Sequence, residues 1–214
     1  MHLKIQEIPK KWPIQRKKSV YIIRPRFNLK NGIPLLLILR DMLKIVQNRK
    51  EAKRAIHLKN ILINGKFAKD EKHSVSLFDI IEIVPSKKHY RIELTNKKFD
   101  AREISAKESC EKTAKIINKK ILKKKTTQIN LSDGGNFISD LNCKINDSVL
   151  INLKNRKIEK CLPLKERASV VVFEGKHIGK TGTIKKINSE QKMAEIGSDG
   201  KDINVLIKQF MVVE

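Results

Sequence analysis

The chain has 214 residues, with 47 Lys and Arg against 23 Asp and Glu, for a formal net charge of +24. Such an excess repels itself in compact form and persists most naturally against a polyanion, which makes nucleic acid the leading partner. The longest aliphatic run, Leu35–Leu39, is too short for a membrane span or a secretory core, and Cys110, Cys143 and Cys161 are too far apart for a disulfide framework or a zinc pair. The expectation is a cytoplasmic protein with no membrane partner, no small-molecule substrate, no cofactor and no metal.

Residues 1–33 read as a basic N-terminal extension. Lys4, Lys10, Lys11, Arg16, Lys17, Lys18, Arg24, Arg26 and Lys30 face a single acid, Glu7, and Pro9, Pro13 and Pro25 break any long helix. Trp12 and Tyr21 lie among the charges. Such a segment orders by laying cations on phosphates and rings on bases or sugars. Trp12 could equally anchor the leader in its own domain.

Pro34 suits a first helical turn, and Leu35, Ile38, Leu39, Met42 and Ile45 follow helical spacing. Asn48 is placed to cap a second helix, Arg49 to Lys59. Ala52, Ala55 and Ile56 fall on one side of it, and Arg49, Lys50, Lys53, Arg54 and His57 form a cationic ridge on the other. Strands are expected at Ile61–Ile63, before an Asn64-Gly65 tight turn, and at Asp79–Val84.

The pieces Leu39-Arg40-Asp41, Arg49, Ala52, Lys53, Ile63-Asn64-Gly65 and Phe78-Asp79-Ile80-Ile81-Glu82-Ile83 make residues 34–85 resemble the RNA-binding domain called S-four. The resemblance implies that the second helix and the loop after it contact structured RNA. Phe78 stands where that domain often has Gly.

Residues 86–166 read as a central, mostly-β domain with one helix. Tyr90–Leu94 alternates as a strand does. Ser105–Lys119 has helical spacing, with Ala106, Cys110, Thr113, Ala114 and Ile117 on one side. Lys119, Lys120, Lys123, Lys124 and Lys125 form the densest basic run. Strands are expected at 126–131, 149–153 and 157–162. Asp133, in Ser132-Asp133-Gly134-Gly135-Asn136, reads as a turn-closing side chain and not a catalytic base, since no His, Lys or second carboxylate visibly partners it.

Residues 167–214 read as a small β-barrel. Val170–Phe173 begins it, Gly175, Gly179 and Gly182 allow tight turns, and strands near 193–196, 203–207 and 210–213 complete it. Gly179-Lys180-Thr181 imitates the tail of a phosphate-binding loop but leads into a strand where such a loop opens a helix. The run Val170 to Ile187 resembles the KOW motif of ribosomal proteins and transcription elongation factors.

The expected class is therefore α+β and multidomain: basic extension, S-four-like domain, mostly-β centre and KOW-type SH3-like barrel. In this order the parts resemble the S-four-e family of the archaeal and eukaryotic small ribosomal subunit, as do His2-Leu3-Lys4, Trp12, Arg16-Lys17, Arg24-Pro25, Gln128-Ile129-Asn130-Leu131 and Asp133-Gly134. Two departures stand out. Phe27 to Gly32 replace a usual Gly-Pro-His turn, and Gly135 replaces a usual Arg. The resemblance implies a non-enzymatic constituent of the small subunit, whose partners are small-subunit rRNA and neighbouring small-subunit proteins. The RNA contacts expected are Lys4, Trp12, Arg16, Lys17 and Arg24 in the leader, Arg49, Lys50, Lys53 and Arg54 on the basic helix, and Lys123, Lys124 and Lys125 in the centre. The alternatives are a transcription elongation factor or an RNA-modification-associated RNA-binding factor.

Overall fold

The computed structural model describes residues 2–17, 19–122, 126–139, 141–188, 190–198 and 201–213. The chain is mostly β, with few helices, and divides into two compact units, Met1–Ser109 and Cys110–Glu214.

In the first unit the leader is folded. Strand β1 (His2–Lys4) pairs antiparallel with β2 (Tyr21–Ile23), and β3 (Gly32–Pro34) pairs with β6 (Ser74–Ser76). Leu3, Ile8, Trp12 and Ile22 are buried, and the Phe99 amide donates to the Lys11 carbonyl. Each buried aliphatic contributes about 1.5–3 kcal/mol of apolar transfer, enough to order a segment whose charges, the buried Lys11 apart, face outward.

The first expected helix is shorter than its spacing suggests. One α turn, α1 (Leu35–Leu37), passes directly into a π turn, Ile38–Met42. Leu35 to Leu39 are all buried, so packing on several sides sets this segment. The second helix, α2 (Arg49–His57), forms where expected. The Asn48 side chain accepts from the Glu51 amide at 3.1 Å, and Glu51 accepts from the Gln47 amide at 2.7 Å. The Asn48 bond satisfies a donor that a helix start otherwise leaves orphaned, and the Glu51 bond ties down the residue before the cap.

A five-stranded antiparallel sheet follows in the order β5-β4-β7-β8-β9, comprising β4 (Ile61–Ile63), β5 (Lys66–Phe67), β7 (Ile80–Ile83), β8 (Lys88–Thr95) and β9 (Lys98–Ile104). It runs without a break across residue 85. The β4–β5 turn has positive φ at both Asn64 (49°) and Gly65 (70°), the conformation that Asn-Gly favours in two-residue hairpins. Asn64 also ties this turn to β7. Its amide donates to Asp79 at 2.8 Å and its oxygen accepts from the Ile80 amide at 2.9 Å. Phe78, at the position where the S-four-like pattern often has Gly, takes a left-handed φ of 61°.

The second unit holds two five-stranded antiparallel sheets. The first, in the order β12-β11-β10-β13-β14, comprises β10 (Glu111–Ile121), β11 (Thr127–Leu131), β12 (Asn136–Ile138), β13 (Ser148–Asn152) and β14 (Lys157–Leu162). One face buries Ala114, Ile116, Ile129, Leu131, Cys143, Val149 and Ile151. The helix expected at Ser105–Lys119 is corrected: a short 3-10 turn, Glu108–Cys110, leads into β10, the middle strand. Thr113, Ile116, Ile117 and Ile121 are β-branched and suit a strand. The helical spacing misled because β10 is buried on both faces at Lys115, which removes the clean period-two alternation.

The second sheet, in the order β18-β17-β16-β15-β19, comprises β15 (Ser169–Val172), β16 (Thr181–Asn188), β17 (Met193–Ser198), β18 (Lys201–Leu206) and β19 (Phe210–Val212). Its core is Val170, Val172, Ile184, Ala194, Ile196, Val205, Phe210 and Val212. Gly182 sits where an added Cβ would lie 2.3 Å from the Gly197 carbonyl oxygen, so only glycine allows this strand approach.

Candidate nucleic-acid interface

The candidate interface centres on α2. Ala52 and Ile56 are buried, which fixes the helix's rotation. Lys50, Lys53, Arg54 and His57 then occupy positions i, i+3, i+4 and i+7 and are all exposed. Side chains at those spacings stack on one helix face, so the sequence itself dictates a continuous cationic stripe. A capped helix of fixed rotation can present that stripe to a phosphate backbone with little further ordering cost.

Arg49 begins the same ridge but has a different task. Its Nε donates to a Glu71 carboxylate oxygen at 2.8 Å, and its terminal nitrogen pairs with the same oxygen. Glu71 is 2% exposed while the Arg49 side chain is about half exposed. The hydrogen bond and charge of Glu71 push the Arg49 pKa up. The expected phosphate contact at Arg49 is therefore shared with, and partly neutralised by, an internal carboxylate.

The leader splits in the same way. Lys4, Arg16, Lys17 and Arg24 are exposed, and Arg16 also donates to the Ile8 carbonyl at 3.3 Å. Trp12 is corrected as an RNA contact. Only 3% of it is exposed, and its indole N–H donates to the Gly32 carbonyl at 3.0 Å. Its ring is core, with the polar edge satisfied as buried tryptophans require, and no face remains for a base. Lys123, Lys124 and Lys125 lie outside the described residues.

Two other cations are structural. Lys112 is buried and pairs with Asp133, whose other oxygen accepts from the Gly135 amide at 2.8 Å. Burial disfavours the Asp133 charge, but the Lys112 ammonium and the backbone donors outweigh it and hold the carboxyl below its ordinary range. Asp133 thus closes a turn as expected, with a lysine partner that the sequence did not reveal. Lys115 is buried too, and donates to the Ile207 and Phe210 carbonyls.

Sequence reasoning passed over Phe67. It follows the Asn64-Gly65 turn, is 52% exposed, and has the Lys59 ammonium 5.8 Å from its ring centroid. An aromatic residue directly after such a turn, close to a basic helix, was the available signal. Among the described residues no three His, Cys, Asp or Glu side chains converge as metal ligands, and no helix is long and apolar enough to cross a membrane.

The profile described as Ribosomal family S4e matches residues 86–158. The small ribosomal subunit protein eS4 of Methanocella arvoryzae is 35% identical over 190 residues, spanning 87% of this chain and 80% of that protein. Its counterpart from Archaeoglobus fulgidus is 31% identical over 220 residues, spanning 100% of this chain and 93% of that one. The crystal structure of the 30S ribosomal protein S4e from Thermoplasma acidophilum shares the fold, with a TM-score of 0.74 at 22% identity over 86% of this chain and 95% of that one. In fold the chain is a mostly-β protein of S4e type. By sequence it belongs to the ribosomal S4e family, a family of structural ribosomal proteins and not of enzymes.

Proposed function

We propose that this chain is a structural constituent of the small ribosomal subunit that binds and stabilises folded small-subunit rRNA during assembly and translation. The relatives named small ribosomal subunit protein eS4 support the ribosomal role and its cytoplasmic setting. They give no support to a transcription-elongation or RNA-modification role. The partners are small-subunit rRNA and neighbouring proteins of the same subunit. We read residues 1–33 as the basic extension, 34–85 as the S-four-like unit, 86–166 as the central unit, whose first strands β8 and β9 join the S-four-like sheet, and 167–214 as the KOW-type barrel.

The observation that carries RNA binding is the exposed Lys50, Lys53, Arg54 and His57 stripe on a capped, packed helix. The mechanism is electrostatic and geometric. Lysines and arginines displace counterions from phosphates, and an A-form duplex is read by shape, phosphate and ribose hydroxyl because its major-groove edges are inaccessible.

The test is titration of small-subunit rRNA fragments with the wild-type chain and with Lys50→Ala/Lys53→Ala/Arg54→Ala. The expected result is weaker binding and a salt slope shallower by about one for each phosphate no longer neutralised. A triple variant with an unchanged slope would reject the α2 face. Wild-type protein that stays out of small-subunit gradient fractions and ignores RNA in dilute buffer would reject the function.

A further inference from the structure

Within the first unit, the folded leader and the segment joining α1 to α2 line an open groove of about 1100 Å³. That exceeds the roughly 300–1,000 Å³ of a typical small-molecule pocket and suits a length of chain better than a metabolite. Its lining combines three chemistries. Ile22, Leu36 and Val46, all buried, supply apolar surface. Tyr21, 58% exposed, and His2 supply two rings whose centroids lie 6.1 Å apart at a 53° tilt. Arg40, Lys44, Arg49 and Lys72 supply cations.

Two of those cations are already matched. Arg40 forms two hydrogen bonds to Asp41, of 3.0 and 2.9 Å, and Arg49 pairs with Glu71. Lys44 and Lys72 have no carboxylate partner among the described residues. Gln15 and Gln47 add amides that both donate and accept.

Unstacked nucleotides use a ring to stack on, an ammonium for the phosphate and an amide for the base edge, and this lining supplies all of them. A duplex keeps its base faces stacked and has no use for the tyrosine. An acidic peptide would use the cations alone. We propose that this groove binds a short single-stranded RNA segment, with a base stacked on Tyr21 and phosphates held by Lys44 and Lys72. The inference rests on the RNA-binding reading above. It assigns a different surface from the α2 stripe and a different form of RNA.

The test uses the full chain, a fluorescein-labelled hexauridylate in which one residue is 4-thiouridine, and a labelled double-stranded RNA of twelve base pairs. Tyr21→Ala is expected to weaken hexauridylate binding about five- to hundredfold, the span measured for loss of one stacked base, and to leave duplex binding unchanged. Tyr21→Phe is expected to restore it. Lys44→Ala/Lys72→Ala is expected to weaken hexauridylate binding independently, which covers the case of a Tyr21→Ala variant that folds poorly. Photocrosslinking of the wild-type chain should label the segment containing Tyr21. Duplex binding retained, with hexauridylate affinity indifferent to both variants, overturns the groove alone, whether or not a protein segment fills it. A wild-type chain that binds neither RNA overturns the RNA-binding reading beneath it.

Discussion

The ammonium of Lys115 donates a hydrogen bond to the Phe210 carbonyl oxygen 2.7 Å away and lies 5.4 Å from the centroid of the Phe210 ring. A second bond reaches the Ile207 carbonyl, and the Phe173 ring lies 6.0 Å from the same ammonium. Ser148 adds a parallel link, its hydroxyl oxygen accepting from the Val212 amide at 2.9 Å. In the second unit these polar contacts join the sheet containing β10 to the sheet ending in β19. A lysine in a +24 chain thus serves as an internal fastener.

Lys115→Ala is expected to destabilise the chain by about 1–3 kcal/mol, the two carbonyls left without their donor and the cavity left behind outweighing the relief of a buried charge. Urea unfolding measures it. A change within about 0.5 kcal/mol, the scale of an exposed lysine, would refute the fastener.

The same lysine carries a pH signature. Burial pushes the Lys115 pKa down to about 8. In the unfolded chain it titrates near its ordinary value of about 10.4, so between those values the unfolded state holds more protons. Folding stability therefore rises with pH across that window, by up to about 3 kcal/mol from this group. The wild type should gain stability with pH relative to Lys115→Met. Urea unfolding of the two chains from about pH 7.5 to 10.5, a range that brackets both values, reads the difference, and parallel profiles would contradict it.

Trp12→Phe removes the indole donor to Gly32 and leaves a buried carbonyl unpaired. The expected cost is about 1–3 kcal/mol of stability, with RNA affinity unchanged where both chains are folded. Thermal unfolding and RNA titration at low temperature test the two halves. Weakened affinity in a folded variant would return Trp12 to the interface.

Arg49→Ala strands the Glu71 carboxylate, whose second oxygen has no hydrogen-bond partner among the described residues. The expected loss is about 2 kcal/mol, while Lys50→Ala/Lys53→Ala stays within about 0.5 kcal/mol and binds RNA more weakly instead. Denaturation midpoints set beside salt-dependent binding curves separate a structural arginine from interfacial lysines.

Gly182→Ala drives a Cβ into the Gly197 carbonyl and toward the Ile196 side chain. Overpacking of this kind costs about 1–3 kcal/mol. Gly134→Ala is the control, since its Cβ would meet nothing within 4 Å, although φ of 86° strains it. A melting temperature unmoved by Gly182→Ala would show that the two strands separate without cost.

Local chemistry made part of the fold legible. Asn48 as cap, Asn64-Gly65 as a turn with two positive φ values, and Asp133 as a turn-closing carboxylate all follow from side chains acting within a few residues. The strand at Met193–Ser198 alternates buried and less buried positions, so its period-two pattern survived in the sequence. The α2 stripe was legible because Ala52 and Ile56 fix the helix's rotation.

By itself, the sequence determined a strong positive charge, the capped basic helix and its turn, and the collinear order of motifs that points to the S4e family. These depend on net charge and on neighbours a few residues apart. Only the tertiary structure decided that Ser105–Lys119 contributes a strand, that Trp12 is core, that Arg49, Lys112 and Lys115 are held by internal partners, and that the leader closes one side of a groove. Each of those outcomes depends on groups far along the chain, and a lysine's formal charge does not reveal whether it meets water, a carboxylate or a buried carbonyl.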